Sequence, residues 1–143
     1  MPRARRSQTR RRLRVAVLND SQAVLKMLCE WFERHGHECR SAVVADMPLA
    51  HVQVEQFLSS EKPDVVVYDV SMPYASNWDL LEVIRELPSV KSLPFVATTP
   101  NKRELDASVG RKTRTLPIGG RATDLTRLLK AVERAASTPS ARQ

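Results

Sequence analysis

Pro63-Asp64-Val65-Val66-Val67-Tyr68-Asp69-Val70-Ser71-Met72-Pro73 is the most informative segment of this 143-residue chain. Val65 to Tyr68 form an unbroken apolar and aromatic run. A strand with one wet face alternates apolar and polar side chains, so this run describes a strand covered on both faces. Pro63 and Asp64 introduce it, and it stops at Asp69, a carboxylate at the strand's carboxyl end. An isolated Asp in that position is most often a turn former or a helix cap. Its meaning therefore depends on what the rest of the chain brings beside it.

On the amino-terminal side, Leu13 to Leu18 is a first strand ending at Asn19, Asp20 and Ser21, residues suited to a loop and a helix cap. Val24, Leu25, Leu28, Trp31 and Phe32 recur at helical spacing, predicting a helix over roughly Gln22 to Arg34 that Gly36 ends. A weaker strand follows around Cys39 to Val44. Asp46 and Pro48 then start a helix carrying Leu49, Ala50, Val54, Phe57 and Leu58. On the carboxyl side, Val70 to Ser76 reads as a loop, and Leu80, Leu81, Val83, Ile84 and Leu87 as a helix closed by Pro88. Phe95 to Thr98 is a strand, Lys102 to Val109 a short polar helix, Thr113 to Leu116 a short strand, and Leu125, Leu128, Leu129 and Val132 mark a last helix.

Strand and helix thus alternate five times, which predicts an α/β fold with a parallel sheet covered on both faces, since each parallel crossover needs a helix to return the chain. The expected architecture is a flavodoxin-like (βα)5 three-layer sandwich with strands in the order 2-1-3-4-5. Residues 13–136 form the domain. Residues 1–12, mostly Arg, Ser, Gln and Thr, read as a disordered arm, and 137–143 as a flexible tail. The formal charge of +7 is concentrated at the amino-terminal end: residues 1 to 14 hold seven Arg and no acid, and the remainder has 16 basic and 16 acidic residues. The body is formally neutral, which weakens a whole-protein nucleic-acid reading.

Other function classes fail on composition. The only two cysteines, Cys29 and Cys39, have neither a disulfide-framework nor a metal-site spacing and read as reduced thiols. His35, His37 and His51 lack a shared metal spacing and read as exposed helix-end and loop residues. With four glycines in the chain, Gly119-Gly120 lacks the spacing of a P-loop or dinucleotide site. Trp31, Phe32 and Trp78 read as packing residues. No apolar stretch is long enough for a signal-peptide core or membrane insertion, and the expected location is cytoplasmic.

In open parallel sheets, ligands bind beyond the carboxyl ends of the strands where strand order reverses. The order 2-1-3-4-5 makes strands one and three neighbours there, so Asn19 and Asp20 would meet Asp69 in one cleft. Several oxygens on a shallow rim suit a hard cation such as magnesium.

These residues resemble the CheY-like receiver domain of two-component response regulators over about Leu13 to Ala135. Asp69-Val70-Ser71-Met72-Pro73 is similar to that family's phosphoacceptor loop, with Leu80 and Leu81 continuing its third helix. Leu93 to Thr99 is similar to its fourth strand ending in a switch hydroxyl, and Pro117 to the Pro after its fifth strand. The resemblance implies that Asp69 accepts a phosphoryl group from a histidine kinase or phosphotransfer protein and that Thr99 reports it. It implies Mg2+ held by Asp20, Asp69 and the Ser71 backbone carbonyl, with Asn19 a weak or water-mediated ligand. It further implies a signalling protein, not an enzyme, whose output is contact with an unidentified downstream protein. A second copy of the chain is another candidate partner.

Three departures bear on that reading. Asn19 stands where relatives usually have an acid, and one carboxylate at roughly 5 Å attracts a divalent cation by about 6 to 7 kcal/mol gross at an effective dielectric near 20. Leu116 stands where relatives have a phosphoryl-pairing Lys. Losing one such preorganised donor typically costs about 2.7 to 4 kcal/mol. Arg114 and Arg121 are the nearest substitutes in sequence. Ser76-Asn77 replaces the usual Asp-Gly, with Asn the next best residue for positive φ. Three readings follow: a phosphoacceptor on Asp69; a pseudo-receiver of the same fold that docks proteins without phosphorylation; and an adaptor contacting nucleic acid or an anionic surface through the Arg-rich arm.

Overall fold

The computed structural model describes residues 11–44, 49–119 and 121–137. The elements within them are β1 (Arg14–Asn19), α1 (Gln22–Arg34), β2 (Glu38–Val43), α2 (Ala50–Glu61), β3 (Val65–Asp69), α3 (Tyr74–Arg85), β4 (Phe95–Thr99), α4 (Lys102–Val109), β5 (Thr115–Pro117) and α5 (Ala122–Ala136). All strand pairs are parallel and the order is β2-β1-β3-β4-β5, as expected for the flavodoxin-like sandwich. Most of the arm (residues 1–10), the helix start expected at Asp46 and Pro48, and the tail beyond 137 lie outside the described residues.

The apolar run that defines β3 is buried throughout, with Val65, Val66 and Val67 at 0% and Tyr68 at 2% exposure. Alternation along the strands divides it between two cores. Val15, Val17, Val65 and Val67 pack under α1 and α5 with Leu25, Leu28, Phe32, Leu128 and Val132. Ala16, Leu18, Val66 and Tyr68 pack under α2, α3 and α4 with Val54, Leu58, Leu81, Ile84 and Leu105. Ser21 caps α1, its Oγ accepting from the Val24 N–H, so β1 hands the chain to the helix immediately after Asp20.

Four local readings change. Helix α3 begins at Tyr74, before the end of the expected loop, with Pro73 as its cap residue. Strand β5 begins at Thr115 because the N–H and Oγ of Thr113 are taken by Asp106 Oδ1 at the end of α4, leaving Thr113 in the turn. Cys29 and Cys39 are joined in a disulfide, not free: the tight turn from α1 into β2 lays the two side by side, Cα to Cα 5.3 Å. His37 is buried, not exposed. Its Nδ1 accepts from the Leu13 N–H at 3.1 Å, which leaves the ring proton on Nε2 to donate to Glu133 Oε2 at 2.8 Å. The ring thereby ties the entry of β1 to α5. His37→Leu keeps the bulk but strands the Leu13 N–H, so urea unfolding should show a loss of about 1–3 kcal/mol, whereas an unchanged midpoint would remove that role.

The turn from β5 into α5 is held by Asp124, whose Oδ2 accepts from the backbone N–H groups of Gly119 at 2.9 Å and Arg121 at 3.4 Å. The Gly119 N–H foremost, helped by Arg121, holds this carboxyl below the usual range against the opposing effect of burial. A depressed native pKa means that the unfolded chain takes up the proton first. The stabilisation is therefore complete above about pH 4 and is lost as pH falls through the native value. Asp124→Asn should flatten the fall of Tm below that pH, and an unchanged acid slope would contradict this assignment.

Candidate functional site

Parallel pairing carries one row of residues across the carboxyl edge of the sheet. Asp69 is in register with Thr98, and Thr98 with Leu116. One step beyond the Leu18–Tyr68 pair, Asn19 meets Asp69. Because side chains alternate in period two, Asn19, Asp69, Thr98 and Leu116 all take the α1/α5 face, the face of Val17, Val67 and Val96.

Asp69 is 9% exposed, and both its carboxylate oxygens are engaged. Thr98 Oγ1 donates to Oδ1 at 2.6 Å, and Asn19 Nδ2 donates to Oδ2 at 2.9 Å and to the Asp69 main-chain oxygen at 2.8 Å. Burial pushes the Asp69 carboxyl up from its ordinary value, the Thr98 hydrogen bond opposes this, and the charge of Asp20 adds to the rise. Asp20, exposed at the rim, accepts from Ser71 Oγ at 3.0 Å, and Asn77 Nδ2 donates to the Ser71 carbonyl at 2.7 Å.

The structure places Asn19, Asp20, Asp69 and Ser71 together at the carboxyl edge of the sheet. Thr98, not Thr99, faces Asp69. Register gives Thr98 the face of Asp69 and turns Thr99 to the other, where its hydroxyl donates to the Val70 carbonyl at 2.8 Å. Asn19, expected as a weak or water-mediated ligand, turns its N–H groups, not its oxygen, toward Asp69. Neither arginine replaces the missing Lys. Arg114 is exposed and precedes β5, at the opposite end of that strand, and Arg121 pairs with Asp124 at 3.6 Å. Leu116 packs against the α1/α5 core. Asn77 lies inside α3 and is not among the positive-φ residues, so it serves through its amide and not as a glycine substitute. The sequence reading passed over Thr98 and the amide of Asn77. Strand register would have revealed Thr98, and nothing in the sequence marks the contact of Asn77.

The donor chemistry fits a hard divalent cation in part. The carboxylates of Asp20 and Asp69 and the Ser71 carbonyl, which keeps a free lone pair beside Asn77, are three oxygen donors on one rim, enough for magnesium that retains waters. No cluster of three or more His, Cys, Asp or Glu placed for a metal occurs among the described residues. Beside the rim, Met72, Pro73, Tyr74 and Ala75 form an open groove with Glu104 and Ala107 of α4, and Met72 is 67% exposed. No described helix is long and apolar enough to cross a membrane.

No family model matches the sequence. The chain is 31% identical over 99 residues to an uncharacterized 14.6 kDa protein of Leptolyngbya boryana, covering 69% of this chain and 71% of that one. It is 24% identical over 99 residues to protein PilH of Pseudomonas aeruginosa, covering 69% and 77%. Among solved structures, the chemotaxis response regulator CheY4 of Vibrio cholerae aligns with a TM-score of 0.60 at 21% identity, over 85% of this chain and 99% of that one. A transiently phosphorylated switch of bacterial signal transduction aligns with a TM-score of 0.61 at 25% identity, over 90% and 98%. With the strand order, these likenesses define the class of fold: the chain has the fold of the CheY-like receiver domains of response regulators.

Proposed function

We propose that this receiver accepts a phosphoryl group on Asp69 from a phosphohistidine of a histidine kinase or phosphotransfer protein. The observation that carries the reading is a largely buried carboxylate held by two neutral donors at the strand-order switch point. One Asp69 oxygen forms a bond to phosphorus as the bond from phosphorus to the imidazole nitrogen breaks. The electron pair leaves with the imidazole, which takes its proton from water, and Asp69 becomes an acyl phosphate. Such transfer asks the protein mainly for positioning and charge stabilisation.

Asp20, Asp69 and the Ser71 carbonyl would hold magnesium, which when bound supplies charge for the phosphoryl oxygens. The other parts belong to the chain itself. Thr98 and Asn19 orient the carboxylate. Thr98 is the hydroxyl already at the reacting group, and Thr99, bound to the carbonyl of Val70, reports movement of the segment that follows Asp69. The open groove at Met72 and Tyr74 leaves the approach to the rim free for a protein partner, and the output is contact with a downstream protein. Incubation with acetyl phosphate and magnesium should add the mass of one phosphoryl group in a hydroxylamine-labile linkage. Absence of that adduct, here and with a phosphohistidine donor, would remove the reading.

A further inference from the structure

Hydrogen bonding decides which end of the Asn19 amide faces the acids. Nδ2 donates to the main-chain oxygen and to Oδ2 of Asp69, while Oδ1 accepts from the Ser21 N–H at 2.8 Å. Turning the amide over would set Nδ2 against the Ser21 N–H and Oδ1 against two oxygens of Asp69, replacing three hydrogen bonds by three repulsive contacts. The side chain is 2% exposed, so water cannot satisfy the groups a different rotamer would strand. The oxygen that could have ligated a metal is therefore committed to the N-terminus of α1, and the pole Asn19 shows Asp69 is positive.

A cation at Asp69 Oδ2 would sit about 2.0–2.1 Å from that oxygen, beside N–H hydrogens of the same sign as itself. The amide and the cation then serve one purpose at one atom, which is to balance and orient the carboxylate. Ser71 Oγ on Asp20 and Thr98 Oγ1 on Asp69 extend the same pattern of neutral donors over both acids.

We infer that Asn19 is a positioning residue that stands in for a cation at Asp69, holding the carboxylate in place without metal and weakening the site's affinity for divalent cations. The inference deepens the reading above and takes its functional meaning from it. It yields a receiver whose acceptor geometry does not wait for magnesium, in contrast to a site in which three carboxylates would repel one another until a cation arrived.

The test uses the full chain with magnesium chloride as the probe, by calorimetric titration and by thermal unfolding in EDTA and in magnesium. Asn19→Asp should bind magnesium at least tenfold more tightly than the wild type, melt lower in EDTA, and recover more of its Tm on adding the ion. Asn19→Ala removes the competing N–H without adding charge, and should bind magnesium more tightly than the wild type. Equal or weaker binding by Asn19→Ala would overturn the inference, as would equal magnesium affinities for the wild type and Asn19→Asp. If Asn19→Asp does not fold even in magnesium, Asn19→Ala alone decides. Phosphorylation is not scored, so failure here leaves Asp69 standing as acceptor, and failure of the phosphoryl assay leaves these titrations readable.

Discussion

Asp69→Asn is expected to abolish phosphoryl acceptance while leaving the protein at least as stable as the wild type. Loss of acceptance follows because an amide nitrogen or oxygen is a poor nucleophile for phosphorus and no second buried carboxylate lies in the row. Stability holds because the variant can keep both contacts: Oδ1 can accept from Asn19 Nδ2, and the new amide can donate to Thr98 Oγ1, whose hydroxyl rotates. Burial, with the charge of Asp20, also raises the wild-type carboxyl. Between the unfolded-state carboxyl value near 3.9 and the raised native one, the native state keeps a proton that the unfolded chain has released. Wild-type stability therefore falls as pH rises through that window. The Tm of Asp69→Asn, measured in EDTA, should overtake that of the wild type progressively from about pH 4 toward neutrality. A variant that melts well below the wild type at pH 7 would mean that Asp69 holds the fold together and is not an acceptor kept at a cost.

Leu116→Lys is expected to speed phosphorylation by about a hundred- to a thousandfold, the range associated with one preorganised charge-stabilising donor. Leu116 is two strands from Asp69 in the same row and on the same face, with Thr98 between them. At about 4.8 Å per strand, that gap is within reach of a lysine stem that stays packed while its ammonium extends. The same cation would lower the Asp69 carboxyl, opposing burial. Leu116→Met is the packing control and should leave the rate where it is. Equal rates for Lys and Met would show that the row does not aim position 116 at the acceptor.

Long-period features were legible in the sequence, and pairwise geometry was not. The continuous Val65–Tyr68 run and the spacing of Leu25, Leu28 and Phe32 report burial on two faces and on one face, so strand β3 and helix α1 follow from pattern alone. The convergence of Asp20 and Asp69 followed from strand order. Which threonine faces Asp69 did not, because a one-residue choice of register exchanges the faces of Thr98 and Thr99, and β4 has no alternating polar face to declare it. His37 looked like a loop residue because its partners, Leu13 and Glu133, are 24 and 96 residues away. The orientation of the Asn19 amide was hidden for a related reason: it is set by Ser21 and Asp69 together, one local and one distant.

Site mapping of the phosphorylated chain bears most directly on Asp69. Borohydride reduction of an acyl phosphate leaves homoserine at the modified aspartate, and peptide sequencing by mass spectrometry then locates it. Homoserine at position 69, and unmodified Asp20 in the same digest, is the result this account requires. Phosphate on Asp20, on a histidine or on a hydroxyl, with Asp69 intact, would contradict it.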